Sequence, residues 1–363
     1  MLDGSSQRYS IIKPHISSGV VIIVITCSAP GKTHLIGEHA VVYGEPAIII
    51  SVGKRAYISA EKSESVKIYA QDISQKGEFS VSELNEFAEK LQQVWDNCFE
   101  TKNFSPLYSL LKNEHLGHIK AMIAKTITEL DINSPFSLNI SSDIPIGSGL
   151  GSSAALSVAV PKALSELFKS NLTLDEVNQV AYKIESLAHG TPSGGDNSIC
   201  CYGGAIWFKK GIPNIIEPLH LDFKMKNFVL VFTGIPKLTT GELVAYVRSL
   251  EPEYRNFRVE KLGTYTYEMR KCLAKQDFAR IKEFMNLAQE LLSELGVSID
   301  AIDRIHTAVK DINGGAKLSG AGGGGYMVCY HEDLQLLKQT ISELGYVPEQ
   351  VELGVEGVRI ERR

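Results

Sequence analysis

The chain has 363 residues, enough for two ordinary domains, and its 44% hydrophobic and 22% charged residues predict a folded globular protein. The net charge of −5, without a basic block, argues against nucleic acid as the main partner. Six cysteines without a Cys-x-x-Cys pair argue against zinc spacing and a disulfide framework, and favour reduced thiols in a cytoplasmic protein.

The first part of the chain is predicted to hold a tail, several strands and two helices. Residues 1–20 are interpreted as an N-terminal tail. The apolar run that follows, to residue 27, is predicted to be a buried strand, because it is far shorter than the ~20 residues that span a bilayer, and no membrane partner is expected. The pattern then predicts strands over 46–52, 55–60 and 66–70, and helices over 83–100 and 115–130.

A Pro-Gly-Lys segment at the exit of the first strand holds Lys32, which can act as a point charge on a phosphate or on a reacting hydroxyl. It resembles the end of a P-loop, but Thr26 stands where that motif requires glycine. Farther on, Glu38 and His39 form a candidate substrate-binding pair. Taken alone, these short motifs favour the alternative interpretation, a surface lysine and a capped turn.

A glycine-rich loop spans residues 145–155, between a strand predicted over 136–140 and a helix predicted over 153–167. Glycines let backbone N–H groups converge on an anion, and the N-terminus of the next helix adds unpaired donors and a positive dipole end. Ser152 and Ser153 add two hydroxyls. A tight turn with a serine cap is the alternative, but three alternate glycines exceed what one turn needs. The loop therefore indicates binding of a polyphosphate and its metal.

Two carboxylates flank the next loop. A capping box, Thr173-Leu-Asp-Glu176, predicts a helix to residue 188, closed by Gly190, and residues 191–197 are predicted to be a loop. Of Glu185 and Asp196, one could hold Mg²⁺ while the other handles the proton of an acceptor hydroxyl, as phosphoryl transfer requires. The alternative, a solvated helix glutamate and a turn-forming aspartate, is equally supported by these residues alone.

The rest of the chain mixes strands and helices without regular alternation, which favours α+β over a doubly wound sheet. Strands are predicted over 205–208, 228–232, 316–318, 326–330 and 350–360, and helices over 240–250, 259–273, 278–295, 298–310 and 334–344. The run Gly320–Gly325 fits a dinucleotide fingerprint by letter, but a strand follows it instead of a helix. So many glycines between two strands indicate close approach of the backbone to a ligand, with a flexible hairpin loop as the alternative.

Three segments stand in a fixed order: Pro30-Gly-Lys with Gly37-Glu-His, Pro145-x-x-x-Gly149-Leu-Gly-Ser-Ser-Ala, and Lys317-Leu-Ser-Gly-Ala-Gly-Gly-Gly. Together they resemble the GHMP kinase superfamily over residues 26 to about 330. Within it, Gly37-Glu-His-Ala-Val-Val-Tyr-Gly44 and the run from His189 to Asp196-Asn are most similar to the mevalonate kinase family.

The resemblance implies a two-domain α+β GHMP kinase fold, with the active site in a cleft between domains at 21–222 and 223–363. It implies ATP as co-substrate, Mg²⁺, and phosphorylation of the 5-hydroxyl of mevalonate. Another acceptor, such as phosphomevalonate or a sugar, and a non-catalytic metabolite sensor stay open as alternatives, the sensor disfavoured by the presence of Lys32, Glu185 and Asp196. A homodimer is left open.

The resemblance also assigns roles to residues. It implies that Asp196 and Lys32 are catalytic and that Ser153 and Glu185 hold the metal. The ATP-binding positions that it implies are Pro145, Gly147, Ser148, Gly149, Leu150, Gly151, Ser152 and Ser153. The substrate-binding positions are Lys32, Glu38, His39, Asp196, Thr240 and Gly322. Gly195 departs from the family, which usually has an aliphatic residue there, so a looser catalytic loop or a larger pocket is expected.

Overall fold

The structure is a computed structural model that describes residues 23–361 except residues 146, 222 and 224. In chain order the strands are β1 (Ile25–Ile36), β2 (Pro46–Lys62), β3 (Val66–Ala70), β4 (Gln75–Phe79), β5 (Phe136–Ser142), β6 (Ala205–Lys209), β7 (Ile215–Leu219), β8 (Met225–Phe232), β9 (Gly315–Leu318), β10 (Tyr326–Tyr330), β11 (Pro348–Leu353) and β12 (Arg359–Ile360).

The helices are α1 (Val81–Thr101), α2 (Ser105–Asn113), α3 (Gly117–Glu129), α4 (Ser152–Phe168), α5 (Leu174–His189), α6 (Gly195–Tyr202), α7 (Thr240–Ser249), α8 (Pro252–Lys275), α9 (Phe278–Glu294), α10 (Asp300–Asp311) and α11 (Leu334–Glu343). Short 3₁₀ turns cover Ala40–Tyr43 and Gln71–Ile73. No helix within the described residues is long and apolar enough to cross a membrane.

The strands form one mixed sheet, in which the longest path runs β4-β3-β5-β2-β11-β8-β10-β9. Helix α4 packs on β1 and β2, and α9 packs on β9. The predicted α+β class is confirmed by this arrangement. Strand β11 lies between β2 and β8, and β12 pairs with β1, so the end of the chain returns to strands of its first part. The boundary between residues 222 and 223 stays a prediction, and the predicted tail at 1–20 lies outside the described residues.

Strand β1 differs most from its prediction, which ended it at Cys27. It continues to Ile36 and pairs with β2, with a register shift between Pro30 and Gly31. A shift of this kind accommodates a proline, which has no N–H to donate. At Gly31 a Cβ atom would lie 2.8 Å from the carbonyl oxygen of Leu150, so the glycine lets the 145–155 loop approach the strand. Lys32 therefore lies within a strand and not in a loop after it.

Other elements differ from the sequence prediction in their number or their bounds. The strands predicted over 46–52 and 55–60 are one strand, β2, and the predicted C-terminal strand is split into β11 and β12. Elements β4, β7, α2 and α6 were not predicted. The loop predicted over 191–197 is wrong at its end, because α6 begins at Gly195.

The helix that precedes this loop was predicted closely. In α5, Thr173 accepts a hydrogen bond from the backbone of Glu176, whose carboxylate accepts one from the backbone of Thr173. Gly190 caps the other end. All six cysteines are buried free thiols.

Candidate active site

A cleft of about 710 Å³ opens where β1, the 145–155 loop, α6 and the loop at 319–325 meet. The predicted site residues that line it are Lys32, Glu38, His39, Pro145, Gly147, Ser148, Gly149, Gly151, Ser152, Ser153, Glu185, Asp196, Thr240 and Gly322. Leu150 is the exception, because its side chain is buried and its carbonyl accepts a hydrogen bond from the backbone N–H of Lys32 at 2.8 Å.

The centre of the cleft holds an ion pair between Lys32 and Asp196, whose Nζ and Oδ2 atoms lie 3.1 Å apart. The lysine side chain is 9% exposed and the aspartate side chain 41% exposed. Desolvation alone would raise the pKa of Asp196, but the charge of Lys32 and its hydrogen bond outweigh it, so the pKa lies below its usual value. Asp196 is therefore an ionised carboxylate, open to the cleft and held beside an ammonium group.

The glycine loop adopts the backbone that its sequence predicts. Gly147, Gly149 and Gly151 have φ values of 71°, 77° and 78°, in the left-handed region that glycine tolerates best. At Gly151 a Cβ atom would lie 2.7 Å from Cγ of Lys32, whereas at Gly147 and Gly149 it would meet no atom within 4 Å. The loop is thus packed against Lys32 at its end and open to the cleft before it. Helix α4 begins directly afterwards, with Ser152 and Ser153 in its first turn.

Ser153 and Glu185 meet on one side of the cleft, where the serine Oγ donates to Oε1 of the glutamate at 2.8 Å. Ser157 donates to the same oxygen at 2.7 Å, and the Glu185 residue is only 5% exposed. His189 lies within 3.7 Å of Oε2. No group of three or more His, Cys, Asp or Glu side chains that could hold a metal ion occurs among the described residues. A cation bound here would take its remaining ligands from water or from a substrate.

Glu38 and His39 join the turn after β1 to the far wall of the cleft. Glu38 forms an ion pair with Lys317 of β9, and both side chains are buried. His39 has a φ of 58°, and its Nε2 donates to the carbonyl of Ala321 at 2.8 Å. Burial lowers the pKa of His39, so its imidazole is neutral. Lys317 has no role predicted from the sequence, although a lysine inside a short apolar strand is itself unusual.

Gly195 occupies a crowded position. A Cβ atom there would lie 3.0 Å from Cδ1 of Ile49 and 3.2 Å from Cδ2 of Phe208. The expectation of a larger pocket is therefore wrong at this point, because these two side chains fill the space that an aliphatic residue would use. Both also line the cleft.

Thr240 and Gly322 lie on the wall formed by the last third of the chain. Thr240 is the first residue of α7, which Thr239 caps. A Cβ atom at Gly322 would lie 2.1 Å from the carbonyl oxygen of Val297, so this glycine allows the 319–325 loop to pack against the segment before α10.

Comparisons with known proteins agree with this geometry. The family model for the N terminal domain of GHMP kinases matches residues 117–204, and the model for their C-terminal domain matches residues 269–347. Mevalonate kinases from Pyrococcus abyssi and Thermococcus sibiricus are each 34% identical to the chain, over 353 and 349 residues, covering 93% of it and 98% of each relative. A solved structure of a mevalonate kinase superposes with a TM-score of 0.77 at 26% identity, covering 92% of this chain and all of that one.

Proposed function

This chain belongs to the GHMP kinase family, and from that membership we propose that it transfers the γ-phosphoryl group of ATP to the 5-hydroxyl of mevalonate, giving 5-phosphomevalonate. The observation that carries the proposal is the Lys32–Asp196 ion pair, which lies in the cleft directly beside the glycine loop and the N-terminus of α4. Relatives that align over nearly the whole chain are mevalonate kinases.

The ion pair supplies the acid–base chemistry. Asp196 is ionised, so its carboxylate can orient the acceptor hydroxyl and accept its proton as the phosphoryl group arrives. The Lys32 ammonium, 3.1 Å away, stabilises the negative charge that develops on the attacking oxygen. The triphosphate lies over the loop at 145–155, where backbone N–H groups and the first turn of α4 offset its charge.

Mg²⁺ fits the oxygen donors of Ser153 and Glu185. A hydroxyl and one carboxylate are ligands of the type that Mg²⁺ prefers, and this ion usually completes its shell with water and substrate phosphates. The carboxylate is buried, and no lysine or arginine among the described residues pairs with it. When bound, Mg²⁺ would neutralise charge on the β- and γ-phosphates.

The charges in the cleft favour mevalonate over phosphomevalonate. Within the described part of the chain, Lys32 is the one lysine or arginine that lines the cleft, and it is already paired with Asp196. A phosphomonoester on the acceptor would bring about 1.5 to 2 further negative charges, for which phosphate sites normally provide Arg or Lys. A non-catalytic sensor is disfavoured by the presence of Lys32, Glu185 and Asp196, which all line the cleft.

The test is an ADP-release assay with mevalonate, phosphomevalonate, galactose and homoserine as alternative acceptors. We expect a strong preference for mevalonate. Asp196→Ala should abolish turnover while ATP still binds. Preference for another acceptor would overturn the substrate but leave the family assignment, and near-normal turnover by the variant would overturn the role of Asp196. The homodimer and the cytoplasmic location stay predictions.

A further inference from the structure

His34 lines the cleft and has no part in the chemistry described so far. It follows Lys32 by two residues in β1, where the pairing with β2 is regular: Lys32 faces Ser51 and His34 faces Ile49. Alternate residues of a strand lie on one face, roughly 6.6 Å apart. Lys32 and His34 therefore present neighbouring groups to the same cleft.

The imidazole of His34 is neutral at physiological pH. Desolvation and, after it, the charge of Lys32 lower its pKa to about 3, and the charge of Asp196 opposes them only in part. A neutral imidazole carries one N–H and one lone pair. Since two nitrogens share one proton, the surroundings decide which of them is the donor.

The surroundings of His34 favour the proton on Nε2. The Nδ1 atom is shut off from solvent and has no hydrogen-bond partner within the described part of the chain. A buried N–H without a partner is rarer in proteins than a buried acceptor without one, so the lone pair belongs on Nδ1. The Nε2–H is then a donor, and no described residue accepts a hydrogen bond from it.

Apolar side chains form part of the cleft near His34, whereas the carboxylate of Asp196 is close enough for its charge to act on the imidazole. Ile49, its partner across the strands, and Phe208 both line the cleft beside it, and both are apolar. On one side Lys32 contacts the phosphate-binding loop through its backbone. On the other side β1 runs on to Glu38 and His39, so His34 lies on the acceptor side of Lys32.

We propose that His34 donates a hydrogen bond from Nε2 to an oxygen of the acceptor remote from the transferred hydroxyl, and thereby determines the affinity for the acceptor. This rests on the proposed function. Mevalonate is a hydroxy acid with a five-carbon main chain, so with the 5-hydroxyl held at Lys32 and Asp196 its other oxygens extend away from that point, and His34 stands two residues, roughly 6.6 Å along the strand, from Lys32. The partner oxygen belongs to its 3-hydroxyl or to its carboxylate.

Three variants test the donor. Gln places its amide nitrogen near the position of Nε2, Asn places it near Nδ1, and Leu removes it. A lost hydrogen bond of ordinary strength predicts that KM for mevalonate rises about tenfold in His34→Leu and His34→Asn, but less than about threefold in His34→Gln. The KM for ATP should stay within about twofold in all three. An unchanged KM for mevalonate in His34→Leu, or an equal rise in His34→Gln, would overturn the inference.

A direct measurement does not depend on turnover. Nitrogen-15 NMR of the histidine side chains, with His34→Gln used to assign the resonance, should report the Nε2–H tautomer at pH 7. Adding mevalonate without ATP should shift the Nε2 resonance. A protonated Nδ1, or no shift at saturating mevalonate, would contradict the proposal.

Acceptor analogues identify the oxygen. An analogue that lacks the 3-hydroxyl and one in which an amide replaces the carboxylate should each bind more weakly to the wild type. In His34→Leu, the analogue that lacks the partner oxygen should bind as tightly as mevalonate does to that variant. If each analogue loses as much affinity relative to mevalonate in His34→Leu as in the wild type, His34 does not contact the acceptor. A wild-type enzyme that does not phosphorylate mevalonate would instead refute the proposed function.

Discussion

Lys317 and Glu38 lie 279 residues apart in the sequence and form an ion pair whose side chains are 0% and 2% exposed. The lysine also donates to the carbonyl of Leu318 at 2.6 Å, while Oε2 of the glutamate is buried without a partner among the residues that the structure describes. The pair fastens the turn after β1 to β9, and the hydrogen bond from His39 to Ala321 adds a second link nearby. Two of the three sequence motifs are thus held together inside the protein.

Removing one partner of this ion pair should lower the free energy of unfolding substantially. In Lys317→Met the carboxylate of Glu38 stays buried without its cation, a change that typically destabilises proteins by about 3–5 kcal/mol. Glu38→Gln in the same chain should recover part of the loss. The free energy of unfolding in urea measures both effects.

The matched control is Lys282→Met. This lysine is also buried but pairs with Glu332, whose side chain is 52% exposed, so the loss should stay near 1 kcal/mol. Equal losses of unfolding free energy in the two lysine variants would show that the burial of Glu38 does not make its ion pair more important for stability.

Local patterns in the sequence were sufficient to predict some elements and not others. The helix α5 was predicted within one residue because its capping box and Gly190 act on their immediate neighbours. The continuation of β1 was missed because Pro30 and Gly31 are typical of loops. Their register shift lies where the carbonyl of Leu150, far along the chain, approaches Gly31 and accepts a hydrogen bond from Lys32, a contact that no local pattern contains.

The site was partly predictable for the same reason. The resemblance located residues whose motifs are contiguous, such as Gly151 and Asp196. The role of Lys317 depends on a contact between distant segments, which no local pattern contains. His34 was overlooked because a loop was predicted there, and the alternation of a strand, which places it beside Lys32, was not applied.

The pH dependence of the enzyme should respond to Lys32. Because the folded-state pKa of Asp196 lies below its usual 3.8, the carboxylate stays ionised above that pH, and its contribution to stability is lost only as the pH falls through the lowered value. Lys32→Met removes the main cause of the lowering and leaves the desolvation. The acid limb of residual kcat/KM should then move toward neutral pH, as measured in a pH–rate profile. An acid limb at the same pH in the variant and in the wild type would show that Lys32 does not control the ionisation of Asp196.

The metal requirement should depend on Glu185. Glu185→Gln removes a negative ligand, and the Mg²⁺ concentration for half-maximal activity should rise at least about tenfold. Ser153→Ala should raise it in the same direction. Glu166→Gln is the control, since this carboxylate also contacts α4 residues, pairing with Lys162, but does not line the cleft. A Mg²⁺ requirement that changes equally in the control would argue against a metal site at Glu185.

A side chain at Gly151 should be unfavourable both because it would contact Lys32 and because the backbone has a left-handed φ. Gly151→Ala and Gly345→Ala both place alanine at a left-handed φ, 78° and 85°, and should each cost about 1–2 kcal/mol of stability. Only at Gly151 does the new Cβ meet Lys32, at 2.7 Å, while Gly345 is open. Gly151→Ala should therefore also lower kcat at least about tenfold. Similar kcat values in the two variants would mean that Lys32 adjusts without loss of its contact with Asp196.

The crowding at Gly195 gives a compensating pair of substitutions. Alanine is favoured over glycine by about 1 kcal/mol inside a helix, an upper bound at Gly195, the first residue of α6; in Gly195→Ala the Cβ must fit 3.0 Å from Ile49 Cδ1, and overpacking of this kind costs about 1–3 kcal/mol. The single variant should be neutral or less stable. Because Ile49 and Phe208 line the cleft, any shift of their side chains should also raise KM for the acceptor severalfold.

Ile49→Val removes the atom that meets the new methyl group. Adding Gly195→Ala to Ile49→Val should therefore be stabilising, by up to about 1 kcal/mol, because the helix preference for alanine acts with less opposition. Thermal unfolding and the KM for the acceptor, measured on the wild type, both single variants and the double variant, complete the cycle. If Gly195→Ala has the same effect with isoleucine and with valine at position 49, the contact does not limit this site, and the glycine serves the backbone of α6 instead.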